Sequence, residues 1–210
     1  MISYTCIPIG MLESNSYLLR DEASGALVLI DCCAFNKPLH TAIEEAGGDL
    51  RYILLTHGHF DHIQGVAHAK KAYPGAVVAI SEADAPYLRG EIDTMPGRVS
   101  RHKSPMEPDM LLNHGDEITF GESTLRVIVC PGHTPGGLCF HSEADGLLFT
   151  GDTLFREEVG RADLVGSNWD DLVASIRNLY ASLGDCTVLP GHGPASSLSH
   201  ERVYNAWVKA

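Results

Sequence analysis

Thr56-His57-Gly58-His59-Phe60-Asp61-His62 packs three histidines and a carboxylate into six consecutive positions. Neutral imidazole and carboxylate are the donors that zinc, manganese and iron take among nitrogen and oxygen ligands. In an extended segment alternate side chains share one side, so His57, His59 and Asp61 can converge. A helix beginning just beyond them swings His62 toward a second, neighbouring position. Arg51 to Leu55 reads as a short apolar strand that delivers the chain directly into this loop. The bland alternative is a solvated loop that is rich in histidine by accident, and the density of donors argues against it.

Three further loops repeat the same grammar, each ending a strand-like run with a donor set among glycines. They are Pro131-Gly132-His133-Thr134-Pro135-Gly136, Thr150-Gly151-Asp152-Thr153 and Pro190-Gly191-His192-Gly193. The C-terminal ends of strands are where α/β proteins build their sites. A single histidine in a glycine-rich turn is usually structural. Four such loops in one chain point to one shared site.

Working outward, hydrophobic pattern and turn residues suggest strands near 2–9, 15–20 and 26–31, then a helix over 37–46 opened by Pro38 and closed by Gly47-Gly48. Ile63, Val66 and Ala67 give a helical stripe ending before Pro74-Gly75, followed by a strand at 77–80 and a short helix over 81–88. In the second half, 117–130 reads as a hairpin turning at Gly121-Glu122-Ser123, with strands at 138–142 and 147–150. Trp169, Leu172, Val173, Ile176 and Tyr180 form a helical stripe, 186–189 a strand, and Val203 with Trp207 a terminal helix. Strands alternating with helices place the chain in the α/β class. Residues 89–109 stand apart, with Pro96, Pro105, Pro108 and the basic cluster Arg98, Arg101, His102, Lys103. A functional loop and a solvated excursion fit that stretch equally well.

The chain has 210 residues, enough for one sizeable core and short for two. Its formal net charge of −12 argues against nucleic acid as the main partner, since like charges repel. The longest uninterrupted apolar runs, 26–30 and 76–80, are five residues each and cannot span a bilayer. The N-terminus, MISYTCIPIG, lacks the pattern of a secretory signal. Six cysteines show no CxxC pair and no framework spacing, which suits reduced, mostly buried thiols and a cytoplasmic location.

The ordered set HxHxDH (His57, His59, Asp61, His62), His133, Asp152 and His192 resembles the metallo-β-lactamase-fold hydrolases. The likeness runs from about Ile2 to the end of the chain and includes Asn15-Ser16-Tyr17 and the strand ending in Asp31. Within that superfamily, GDTLFREEVGRADL followed by PGHGP looks most like the hydroxyacylglutathione hydrolase (glyoxalase II) branch. The resemblance implies a four-layered αβ/βα sandwich with the site along one edge. It implies that His57, His59 and His133 bind one metal, that Asp61, His62 and His192 bind another, and that Asp152 bridges the two. It further implies a dinuclear hydrolase that attacks a small, anionic thioester with a metal-bridging hydroxide, Asp61 and Asp152 being the catalytic carboxylates. The metals implied are two divalent ions, zinc foremost, with iron or manganese chemically acceptable.

Glyoxalase II enzymes continue past the last histidine into a helical domain that supplies much of the glutathione site. This chain reaches Ala210 shortly after one helix, so the expectation is a single domain over 1–210 without that addition. Asp31-Cys32-Cys33 stands where relatives commonly have Asp-Pro-Gly, and both cysteines read as packing residues. Asp31, Thr56 and Thr134 are candidates to orient the imidazoles. Arg156 and Arg161 could meet a substrate carboxylate, or equally pair with the abundant acids. His40, His68, His102, His114, His141 and His200 have no motif support and read as surface or hydrogen-bonded residues. Two alternatives share the fold: a mononuclear-iron persulfide dioxygenase and a lactonase-type hydrolase. A non-catalytic metal-binding protein is a third class, disfavoured by the complete donor set.

Overall fold

The computed structural model describes residues 1–93 and 104–210. The first half carries β1 (Ile2–Ile9), β2 (Ser14–Asp21), β3 (Leu27–Ile30), α1 (Lys37–Glu45), β4 (Leu50–Leu54), α2 (Phe60–Ile63), α3 (Val66–Ala72), β5 (Val77–Ser81), α4 (Ala85–Leu88) and β6 (Met110–Leu112). The second half carries β7 (Glu117–Phe120), β8 (Ser123–Val129), β9 (Leu138–Ser142), β10 (Leu147–Gly151), β11 (Leu154–Phe155), β12 (Glu158–Val159), α5 (Trp169–Ser182), β13 (Thr187–Pro190), β14 (Ser196–Ser197) and α6 (Leu198–Tyr204).

Two mixed six-stranded sheets result, ordered β1-β2-β3-β4-β5-β6 and β14-β13-β10-β9-β8-β7. Alternation along the strands shows how they stack. Leu27 and Leu29 face a core with α1 and α3, while Val28 and Ile30 face the opposite sheet. Leu147 and Phe149 meet that same inter-sheet core, and Leu148 turns to the layer of α5 and α6. Strands buried on both faces read as continuous apolar runs, which is why 26–30 and 76–80 carry no polar residue. Three cores thus separate four layers, helix, sheet, sheet and helix, as the αβ/βα expectation required.

Capping explains the helix boundaries. Asn36 accepts a hydrogen bond from the Leu39 amide at 3.1 Å and Pro38 occupies the first turn of α1. Asn168 accepts from the amides of Asp170 and Asp171 at the start of α5.

Several expectations shift. The short helix near 81–88 is only Ala85–Leu88, because Ser81 completes β5 and Pro86 fits solely in a first turn. Trp169 begins α5 but lies outside its buried stripe, which Leu172, Ser175, Ile176, Leu179 and Tyr180 fill. The terminal helix is 198–204, so Trp207 lies beyond it and is exposed along with Val203. The basic cluster of the 89–109 stretch, Arg98 to Lys103, lies outside the described residues. Five of the six cysteines are buried, Cys6 is exposed, and all six are free. Among the described residues no helix is long and apolar enough to cross a membrane.

Candidate metal centre

The seven predicted donors meet at one sheet edge, on loops that leave the C-terminal ends of β4, β8, β10 and β13. His57, His59 and His133 present one donor atom each within 4.8 Å of one another, and so do Asp61, His62 and His192. Asp152 sits between the two sets. Its Oδ1 lies 3.4 Å from His62 Nε2, and its Oδ2 lies 3.4 Å from His133 Nε2 and 3.5 Å from His192 Nε2.

The second set has a regular spacing. His62 Nε2 to His192 Nε2 is 3.3 Å, His192 Nε2 to Asp61 Oδ2 3.3 Å, and His62 Nε2 to Asp61 Oδ2 3.5 Å. A tetrahedral cation with donors at about 2.0–2.1 Å spaces those donors about 3.3–3.4 Å apart. In the first set His59 Nδ1 and His133 Nε2 are closer, at 2.8 Å. The buried atoms His57 Nε2, His59 Nε2 and Asp152 Oδ1 have no hydrogen-bond partner. Buried polar atoms are rarely left so, and a cluster of them on ligand-type side chains fits a bound cation. The donor set therefore suits divalent metals.

Hydrogen bonds behind the rings fix which nitrogen faces inward. Asp31 Oδ2 accepts from His62 Nδ1 at 2.8 Å and from the Thr56 hydroxyl at 2.7 Å. Because the Thr56 proton goes to Asp31, His57 Nδ1 donates to Thr56 Oγ1 at 3.0 Å. His133 Nδ1 donates to the Arg161 carbonyl at 2.8 Å, and His192 Nδ1 to the Leu12 carbonyl at 3.1 Å. Four imidazoles are thus anchored at Nδ1 and turn Nε2 into the site. Asp31, His57 and His62 also form a compact trio, but Asp31 is already committed to His62 and Thr56.

Electrostatics follow from this crowding. Burial would depress His62, yet the carboxylates of Asp152, Asp61 and Asp31 more than reverse that and push it up to about 9. Burial likewise opposes charge on His192, and Asp152 and Asp61 lift it to about 10. Burial would raise Asp152, but His62, His192 and His133 hold it down at about 2. Asp61 sits below the usual carboxylate range because His62, His192 and Ser14 outweigh its burial. His57 and His59 go the other way. Burial and neighbouring imidazoles drive His57 well down and His59 to about 3.

Several residues support the site from behind, among them Asn15 and Tyr17 of the stretch that carries the family likeness, while Ser14 and Asp84 carry no sequence signal of their own. The Ser14 hydroxyl donates to Asp61 Oδ2 at 2.9 Å. Asn15 Nδ2 donates to the carbonyls of Pro190 and Gly193, and Tyr17 Oη to that of Pro190, clamping the loop that carries His192. Asp84 is fully buried and accepts from the amides of Gly58, at 2.9 Å, and Gly136, at 2.8 Å. Gly191 is required by proximity, since a Cβ there would stand 2.2 Å from Asp152 Oδ1. Of the sequence candidates, Asp31 and Thr56 do orient rings. Thr134 is buried and bonds to none of the site imidazoles. Arg161 reaches the site's rim but is paired to Asp163 at 2.8 Å, and among the described residues Arg156 is exposed with no ion pair.

The donors open onto a cavity of about 210 Å³. Besides ligand candidates its wall consists of Leu12, Phe60, Phe155, Leu164 and Arg161. A larger hollow of about 900 Å³, edged by Glu117, Glu143, Asp145 and Asp185, contains none of the seven donors.

With fold and donors in place, the chain's class is that of an α/β protein whose sheet edge gathers His and Asp groups that suit divalent metals. Residues 9–192 match the metallo-β-lactamase superfamily, and the chain belongs to that superfamily of metallo-hydrolases. It is 29% identical to hydroxyacylglutathione hydrolase GloC of Haemophilus influenzae, over 97% of each chain. Among solved structures, the B3 metallo-β-lactamase BLEG-1 superposes with a TM-score of 0.89 at 29% identity, over 99% of this chain and all of that one. The di-iron-bound form of TTHA1623 gives 0.86 at 32% identity, over 97% of this chain and all of the other.

Proposed function

We propose that this protein hydrolyses small thioesters at a dinuclear metal centre, with His57, His59 and His133 at one position, Asp61, His62 and His192 at the other, and Asp152 shared. A divalent pair bound there supplies a Lewis acid for the carbonyl oxygen and hydroxide from water near neutral pH. Asp61 directs Oδ2 at His62, His192 and Ser14, which leaves Oδ1 to orient a water in the cavity. Leu12, Phe60, Phe155 and Leu164 form an apolar wall that holds the acyl group and limits bulk water.

The observation that carries the thioester reading is the composition of that wall. Among the described residues, the only titratable side chain lining the cavity outside the ligand set is Arg161. An amine leaving group needs a proton donor, whereas a thiolate is a weak base and departs without one. Likeness to hydroxyacylglutathione hydrolase GloC supports the same reading. A mononuclear-iron persulfide dioxygenase is the alternative. The complete donor set of Asp61, His62 and His192, at 3.3–3.5 Å spacing, is more than a single iron uses.

Elemental analysis combined with turnover of S-lactoylglutathione tests the proposal. Two metals per chain with thiol release are expected. One iron per chain with oxygen consumption on glutathione persulfide would replace the hydrolase reading with the dioxygenase. Asp152→Ala is expected to lower turnover by at least about 10³-fold, roughly 4 kcal/mol of barrier, while the circular dichroism spectrum is retained.

A further inference from the structure

Leu12, Phe60, Phe155 and Leu164 are large apolar side chains that no core claims. None is packed in or against the three cores that hold the layers together. Leu12 is 51% exposed, and Phe60, Phe155 and Leu164 are half-buried. They come from four separate stretches of chain and meet at the cavity beside the metal donors.

Each is tied to a donor. Phe60 stands between His59 and Asp61. The Phe155 ring meets that of His192 at 6.1 Å between centroids and 80° between planes. The Leu12 carbonyl accepts from His192 Nδ1 at 3.1 Å. Leu164 lies three residues past Arg161, whose carbonyl holds His133. Wall and donors are therefore one site. Met11, beside Leu12, is 95% exposed, and Val165, beside Leu164, is exposed as well. Scattered exposed apolar residues are ordinary, whereas a set gathered around a cleft marks a place that a ligand covers.

The chemistry of that ligand follows from what the wall lacks. Apart from the donor set, only Arg161 among the described residues offers the cavity a polar side chain, and Asp163 engages it through contacts of 2.8 and 2.9 Å. A carboxylate on the acyl chain finds no free partner, and a hydroxyl there would be buried unpaired. Volume limits the length. A methylene takes about as much room as a water, roughly 30 Å³, so a cavity of about 210 Å³ holds a carbonyl and about five further carbons.

We propose that this site selects a straight, unhydroxylated acyl chain of about four to six carbons, laid against Leu12, Phe60, Phe155 and Leu164. This rests on the thioester reading above and names its acyl group. Two series test it on the metal-loaded protein. With N-acetylcysteamine as the common thiol, kcat/KM should rise about fourfold per methylene from acetyl to hexanoyl, and octanoyl should gain nothing further. A terminal hydroxyl, remote from the carbonyl, should make 6-hydroxyhexanoyl at least about fivefold poorer than hexanoyl. Straight-chain hydroxamates, which bind a divalent metal through two oxygens, give a second measurement without turnover. Their affinity, read by calorimetry, should climb by the same factor per methylene from acetohydroxamate to hexanohydroxamate.

Leu164→Asn should lower the hexanoyl-to-acetyl ratio about tenfold, and Phe155→Ser, on a separate loop, should do likewise. Circular dichroism and metal content identify any variant that has lost its fold. Flat dependence in both series would overturn the acyl proposal, and if thioesters are still turned over the hydrolase reading stands. Rising hydroxamate affinity with no thioester hydrolysed would support the apolar pocket and remove the thioester reading. Folded variants that keep the parent ratio would overturn the proposal. A dimer in sedimentation that Leu164→Asn dissolves would assign these side chains to a second copy, and would overturn it too.

Discussion

Asp84 ties together two loops that are far apart in sequence and adjacent at the candidate metal centre. Its carboxylate accepts from the amide between His57 and His59 and from that of Gly136, three residues past His133. Burial pushes its carboxyl up, and the two amide donors pull against that. In Asp84→Asn one oxygen survives, while the new amide group opposes the other backbone N–H and leaves it unpaired. A buried donor without an acceptor costs about 1–3 kcal/mol. The expected loss is therefore about 2 kcal/mol for Asp84→Asn and about 4 kcal/mol for Asp84→Ala, which orphans both donors. In a chain of this size each kcal/mol moves the thermal midpoint by about 2–4 °C. Thermal unfolding of the chelated protein should fall by about 4–8 °C for Asn and about twice that for Ala. Chelation removes the metal's own contribution from the comparison. Both midpoints within about 2 °C of the parent, with metal affinity unchanged, would refute the view that Asp84 holds the two loops in place.

Four other outcomes are expected. Asp31→Ala should weaken metal binding about 10–100-fold, measured by competition with a chromogenic chelator, because His62 loses the acceptor that fixes its ring. Metal removal should lower the thermal midpoint by about 5–10 °C for each site that was filled at about 100 times its Kd. In the metal-free protein, the raised His62 and His192 contribute stability that is complete below pH of about 6.5 and lost as pH rises through about 9 to 10; added zinc should flatten that alkaline limb, since it takes the same nitrogens. At acid pH, Asp21 joins β2 to the β7–β8 turn, and hydrogen bonds from Ser24 and Ser123 hold its carboxyl well below the usual range. Its contribution is present above about pH 4 and lost as pH falls through the lower folded value, so Asp21→Asn should shallow the decline of urea midpoints below pH 4.

What could be read in the sequence was whatever is local. The HxHxDH string needs only a strand and a turn to gather its donors, and the other donors announce themselves by recurring after apolar runs. The α/β class was legible in the alternation of strands and helices, whereas the four layers were expected from the family resemblance, because uninterrupted apolar runs such as 26–30 and 76–80 do not say which core each side chain enters. Asp84 was not legible. Nothing in Ser81-Glu82-Ala83-Asp84 distinguishes it, and its partners are backbone amides 26 and 52 residues away. Trp169 misled because it stands at helical spacing with Leu172 and Ile176, and periodicity alone does not say where a stripe stops. β11, β12 and β14 span two residues each and β6 three, too short to leave a pattern.

The two donor sets are held largely by different parts of the fold. Thr56, the Arg161 carbonyl and, through Gly58 and Gly136, Asp84 hold the position of His57, His59 and His133. Asp31, Ser14 and the Leu12 carbonyl hold that of Asp61, His62 and His192. Only Asp152 belongs to both. Outer hydrogen bonds tune metal affinity by ligand orientation, and the Asp31–Thr56 pair links the two supports, since Asp31 holds His62 while Thr56, bonded to Asp31, holds His57. The β1–β2 hairpin supplies both Leu12 and Ser14, and Cys33 donates to the Ser14 carbonyl at 3.4 Å. Substitutions in that hairpin therefore bear on the second position first.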